Sequence, residues 1–256
     1  CGEKKESGKT FAGKSERNQK KGHMLPFVRA AEAVAAAVAV LVISVNVSPT
    51  VANAMEQVPI FGAIVKIVNF TTYSDKQEKK QMEATVKVPE VKVIGTDGKP
   101  LTRESKELNA AVSGYLDKIF QMYKKDVAAV SDGEEGHEEI TSDYRIVTDN
   151  RRLFSLRVDT VIAMGGSDSF TKIYNIDKKT GKMITLKDLF REGSDYKKRI
   201  SDSIKEQMRA QMKEDSSKTY FLDDDQPEWD FKQIKADADF YISDKGELTF
   251  VFDKYE

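Results

Sequence analysis

Cysteine is almost missing: Cys1 is the only one in 256 residues, so no intrachain disulfide can form and packing alone must hold any folded domain. Histidine is nearly as scarce. With only His23 and His137, a histidine-based triad or a zinc centre has almost nothing to draw on. A phosphate-binding loop is missing too, since the single Gly-Gly, Gly165-Gly166, lies between strand-like runs and opens no helix. Beyond the N-terminal segment the basic residues are interspersed with acidic ones, so no stripe of one sign forms and nucleic acid is not the expected partner. No catalytic residue, cofactor or metal site is expected. Sensing and binding are the functions left.

One stretch has membrane character. Residues 33–43 form an unbroken apolar run, and the extended segment 27–47 is long enough to cross a bilayer if Arg29 and Glu32, one turn apart, pair or sit at the headgroups. Residues 1–29 hold eight Lys/Arg against three Glu, whereas from Met55 onward 33 Lys/Arg face 38 Asp/Glu. A basic flank before the span and an acidic domain after it place the N-terminus in the cytoplasm and the rest outside. The absence of an initiator Met, and a final apolar run over 248–252 with no following element, lead to the expectation of a fragment at both ends.

Ser48-Pro49 would end a membrane helix. Ala52-Asn53-Ala54 then supplies the small residues that signal peptidase accepts before its cut, with Met55 after it. A plain turn of small residues competes with that interpretation, and the apolar core just upstream brings the two level. Over residues 55–70, Val58, Phe61, Ile64, Val65 and Val68 fall near one helical face, which would lie on the membrane surface or begin the domain core.

The order of segments predicts four parts: a basic cytoplasmic segment 1–26, a transmembrane helix 27–47, a cleavage site with an apolar run and linker 48–83, and a domain 84–256. Within the domain, a short strand over 84–88 precedes a helix over 102–130, in which Leu108, Val112, Tyr115, Leu116, Ile119 and Phe120 recur at helical spacing. Residues 140–148, 153–164 and 170–176 read as strands. A second helix over 194–214 carries Ile200, Ile204, Met208 and Met212 every four residues, and a closing hairpin joins 240–242 to 248–252. Two long helices packed on one face of an antiparallel sheet make an α+β domain.

Two acidic clusters invite a metal. His137 stands among Glu134, Glu135, Glu138 and Glu139, and Asp223, Asp224 and Asp225 are consecutive. The first is expected as a solvated loop, because runs of like charge usually face water, and the second, which lacks the spaced acidic-glycine pattern of a calcium loop, as a loop carrying negative charge.

The motif series from Val58-Pro59-Ile60-Phe61-Gly62-Ala63-Ile64-Val65-Lys66, through Ser142-Asp143-Tyr144 with Val147-Thr148-Asp149 and Ile176-Asp177-Lys178-Lys179 with Leu186-Lys187, ends in the run Lys205-Glu206-Gln207-Met208-Arg209-Ala210-Gln211-Met212-Lys213-Glu214-Asp215. Over about residues 26–256 the chain resembles the anti-sigma-V (RsiV) family of Gram-positive bacteria, with its DUF3298/DUF4163-type extracytoplasmic domain. The resemblance implies a single-pass membrane protein that binds lysozyme outside and a sigma-V-type sigma factor inside. It further implies cleavage by signal peptidase after Ala54, then by a site-2 protease within the membrane. Residues 55–70 would shield the cut until ligand arrives. Matched back from Ile176-Asp177, the family's lysozyme-contacting serine falls on Ser167, which gives Gly166, Ser167, Asp168 and Ser169 as the binding loop. The family also uses a segment after its final strand for lysozyme and a cytoplasmic helix for sigma factor, and neither is found between residues 1 and 256. A peptidoglycan-binding or deacetylase-associated cell-wall domain is the alternative.

Overall fold

The computed structural model describes residues 40–43, 62–222 and 230–253. Alternation builds its larger sheet. In β3 (Met82–Ile94) Met82, Ala84 and Val86 are buried and Glu83 is exposed, and β5 (Leu153–Ala163) buries Phe154, Leu156 and Val158 on the same side. With β2 (Ile64–Gln77), β4 (Glu138–Asp149), β6 (Ser167–Asp177) and β7 (Lys182–Ile184), they form a six-stranded sheet in the order β2-β3-β4-β5-β6-β7.

Helix α1 (Thr102–Ala129) covers one face of this sheet with Leu108, Val112, Leu116, Phe120 and Tyr123, which lie three or four residues apart on one stripe. Its polar side chains close a gap in the sheet. Beyond Val86, β3 has no strand on its β4 side, and α1 supplies the partners: Val91 N–H donates to Asn109 Oδ1 at 2.8 Å, Asn109 Nδ2 donates to Val91 O at 2.9 Å, and Val93 N–H donates to Ser105 Oγ at 2.9 Å. At the other end of the helix, Lys80 Nζ donates to Val127 O and Val130 O, satisfying carbonyls that the last turn leaves open.

The second core holds α2 (Tyr196–Glu214), through Ile200, Ile204 and Met208, and the hairpin of β8 (Phe240–Ile242) and β9 (Leu248–Val251). Hydrogen bonds tie the hairpin to the sheet face opposite α1: Thr148 Oγ1 donates to Ile242 O and Asn175 Nδ2 to Phe240 O, both at 2.7 Å. Across β9 lies β1 (Val40–Ile43), antiparallel to it.

Several expectations need correction. The sheet is mixed: β3 and β4 run parallel, joined by α1 as a crossover, because a helix of 28 residues returns the chain to the end from which β3 started. The two helices serve different cores rather than one face. Residues 64–70 are strand, not helix. Their apolar spacing fits both periods because a bulge between Ile67 and Asn69 breaks strict alternation. Residues 71–83, expected as linker, complete β2 and begin β3, so the domain starts well before residue 84. Of the expected span 27–47, the described residues are Val40–Ile43, and these are extended. No described helix is long and apolar enough to cross a membrane. The remainder of that span, residues 1–26, the Ala52-Asn53-Ala54-Met55 site and Asp223-Asp224-Asp225 lie outside the described residues.

Candidate functional site: the Gly165 turn

Strands β5 and β6 are joined by Met164, Gly165 and Gly166 alone. Met164 N–H donates to Gly166 O at 2.9 Å, and Gly165 adopts φ +63°, a left-handed conformation that costs glycine little. A Cβ at either glycine would meet nothing within 4 Å, so the turn stands clear of the domain. Met164 beside it is 53% exposed.

The four expected binding residues divide. Gly166 and Asp168 are exposed, and Ser167 is half-buried at the first position of β6, opposite Ala163. Ser169, expected in the loop, is instead a strand residue opposite Val161, buried, with an Oγ that makes no hydrogen bond. Ser167 and Ser169 share one face of the sheet and Asp168 the other. A ligand at this turn therefore meets Gly166, Ser167 and Asp168 before it meets Ser169.

The turn overhangs a cleft of about 750 Å³ lined by Lys76, Glu83, His137, Glu139, Gly165 and Gly166, among others. Sequence spacing gave no sign of this, since Glu83 and Glu139 come from different strands that only the β3–β4 pairing makes neighbours. In the His137 loop Glu134, Glu135, His137 and Glu139 are exposed, His137 has φ +49°, and its Nε2 lies 2.8 Å from Glu135. The next residue, Glu138, is buried, and its Oε2 makes no hydrogen bond. Desolvation, and then the nearby Asp126 carboxylate, raise its pKa to about 6. Among the described residues no three His, Cys, Asp or Glu side chains could hold a metal ion.

Carboxylates guard the outer edge of β6. Asp239 accepts the N–H of Ile173 at 2.6 Å and Lys172 Nζ at 3.1 Å, and Asp253 accepts the N–H of Thr171 at 2.7 Å. Burial lifts the Asp239 pKa to about 6 in spite of Lys172. The edge N–H groups of Thr171 and Ile173 are thus occupied by side chains, which blunts the middle of the strand as a template for pairing. At the far end of β6, Ala63 N–H donates to the carbonyl of Lys178 at 2.5 Å, so the chain arriving from residue 55 enters the domain there. Ser167 and Lys178 are eleven positions apart in the chain, on the order of 35 Å along an extended strand.

A mixed six-stranded sheet with a long helix on one face and a smaller helix-and-hairpin core on the other defines an α+β protein. A family model described as a protein of unknown function, DUF3298, matches residues 187–256. The chain is 38% identical over 213 residues to the anti-sigma-V factor RsiV of Bacillus subtilis strain 168, covering 83% of this chain and 70% of that protein. It belongs to the RsiV family of anti-sigma factors, which gives it a regulatory role with a sigma factor as partner. Among solved structures it is similar to a DUF3298 family protein of Pseudomonas aeruginosa PAO1, at TM-score 0.39 and 12% identity over 61% of this chain and 71% of that one. It is also similar to a DUF3298 family member of Bacteroides fragilis NCTC 9343, at TM-score 0.38 and 12% identity over 75% of this chain and 91% of that one.

Proposed function

We propose that this anti-sigma factor is held in the membrane by residues 27–47 and that its outer domain binds lysozyme through the Gly165 turn. Occupancy of the turn exposes the peptide bond after Ala54 to signal peptidase. A site-2 protease then cuts within the membrane, and the sigma factor is released. In the inserted chain, residues 40–43 belong to the membrane helix, and their pairing with β9 is given up.

The observation that carries lysozyme binding is the turn itself: small, exposed, and followed by a serine hydroxyl, as a loop must be to enter an enzyme cleft. The acidic excess after Met55 favours encounter with a cationic protein, mainly through the association rate. The full chain should bind immobilised lysozyme, and Ser167→Arg should weaken binding at least about tenfold by crowding the turn, a loss of about 1.4 kcal/mol. No binding by the unaltered chain would exclude the receptor function.

A further inference from the structure

The Gly165 turn is one corner of a larger sheet face that is exposed on its β2–β4 side. Strand register places Ser167, Ala163, Glu139, Glu83 and Lys76 side by side across five strands, and Ser169, Val161, Thr141, Thr85 and Ser74 in the next row. A third row runs through Thr171, Asp159 and Asp143, whose carboxylate meets Lys87 at 2.6 Å. Since residues two apart share a face, all three rows lie on the sheet face opposite α1. The β8–β9 layer is tied to that face at Thr148 and Asn175, Ser169 and Thr171 are buried, and Ser74, Lys76, Glu83 and Glu139 at the other end of the rows are exposed.

The charges on this face are unevenly matched. Lys87 pairs with Asp143, Arg157 and Arg145 with Asp159, and Lys76 with Glu78. Glu83 and Glu139, directly opposite each other and both exposed, have no ion pair among the described residues. Like charges directly opposite across strands repel, so the fold gains nothing from this pair. Area points the same way. A stable protein complex buries about 800 Å² on each partner, more than a three-residue turn offers, whereas rows spanning five strands extend it by about 19 Å.

We infer that the cationic ligand protein lies across this sheet face, with lysine or arginine side chains meeting Glu83 and Glu139 while the Gly165 turn enters its cleft. The footprint rests on lysozyme being the ligand. It is tested with the full chain on immobilised lysozyme at low salt. The double variant Glu83→Lys with Glu139→Lys should slow association at least about tenfold and weaken its salt dependence. Thr85→Trp, which leaves charge unchanged, should speed dissociation by a similar factor through steric conflict. Asp117→Lys with Glu206→Lys makes the same change in net charge on exposed helix positions and should have little effect.

If the unaltered chain binds and neither face variant changes either rate, the footprint is wrong and lysozyme binding stands. Equal slowing by the helix variants would overturn it too, since net charge rather than this face would then be responsible. If the unaltered chain does not bind, both fall. A change in the chain's own mass by light scattering on face substitution would assign the surface to a second copy and overturn the proposal.

Discussion

Glu138 is 2% exposed and carries a carboxylate oxygen without a hydrogen bond, so its charge meets the interior with little compensation. Because desolvation and Asp126 raise its pKa from 4.5 to about 6, the folded state binds this proton more tightly than the unfolded chain does. The stabilisation linked to it is full below pH 4.5 and is lost as the pH rises through about 6. Glu138→Gln cannot ionise and is expected to raise stability at about pH 8 by on the order of 1 kcal/mol, with little change at about pH 4. Urea unfolding at the two pH values measures this, and an equal effect at both would remove protonation as the cause. Nothing in the sequence sets Glu138 apart from Glu139. They differ because strand alternation turns one under α1 and the other to solvent, and that phase is fixed only once β4 pairs with its neighbours.

Helix α1 does two jobs as an element. Its apolar stripe was legible from spacing alone, because a 3.6-residue period leaves a strong signal over 28 residues. Its role in closing the open edge of β3 was not, since Ser105 and Asn109 look like ordinary polar helix positions until β4 is seen to leave β3 after Val86. Asn109→Ala improves helix propensity but strips Val91 of both an acceptor and a donor. It is expected to lose about 1–3 kcal/mol in chemical denaturation and to speed hydrogen exchange at the Val91 amide. A neutral result would mean that water replaces the amide at this edge. Strand β2 shows the opposite failure. Its bulge at Ile67–Asn69 let a helical period fit as well as a strand period, and only pairing with β3 decides between them.

For the whole molecule, the proposed function sets a distance problem. The Gly165 turn and the point where the chain enters at Ala63 lie at opposite ends of β6, on the order of 35 Å apart, so ligand binding must act along the sheet or by changing the domain's position relative to the membrane. Ala54→Trp is expected to abolish lysozyme-triggered release of the domain while leaving lysozyme affinity unchanged, because the peptidase accepts only small side chains there. Immunoblotting of cells with and without lysozyme reads the first effect, and processing as in the unaltered chain would move the cut elsewhere. The sequence by itself determined the α+β class, both long helices, the closing hairpin and the glycine turn, since each depends on a local period or a local backbone requirement. Tertiary structure alone decided the parallel β3–β4 pairing, the separation of the helices into two cores, and the row that sets Glu83 and Glu139 beside Ser167. Those features join residues distant in the chain, and register, which a one-residue slip would turn inside out, is set by burial on both faces of the sheet at once.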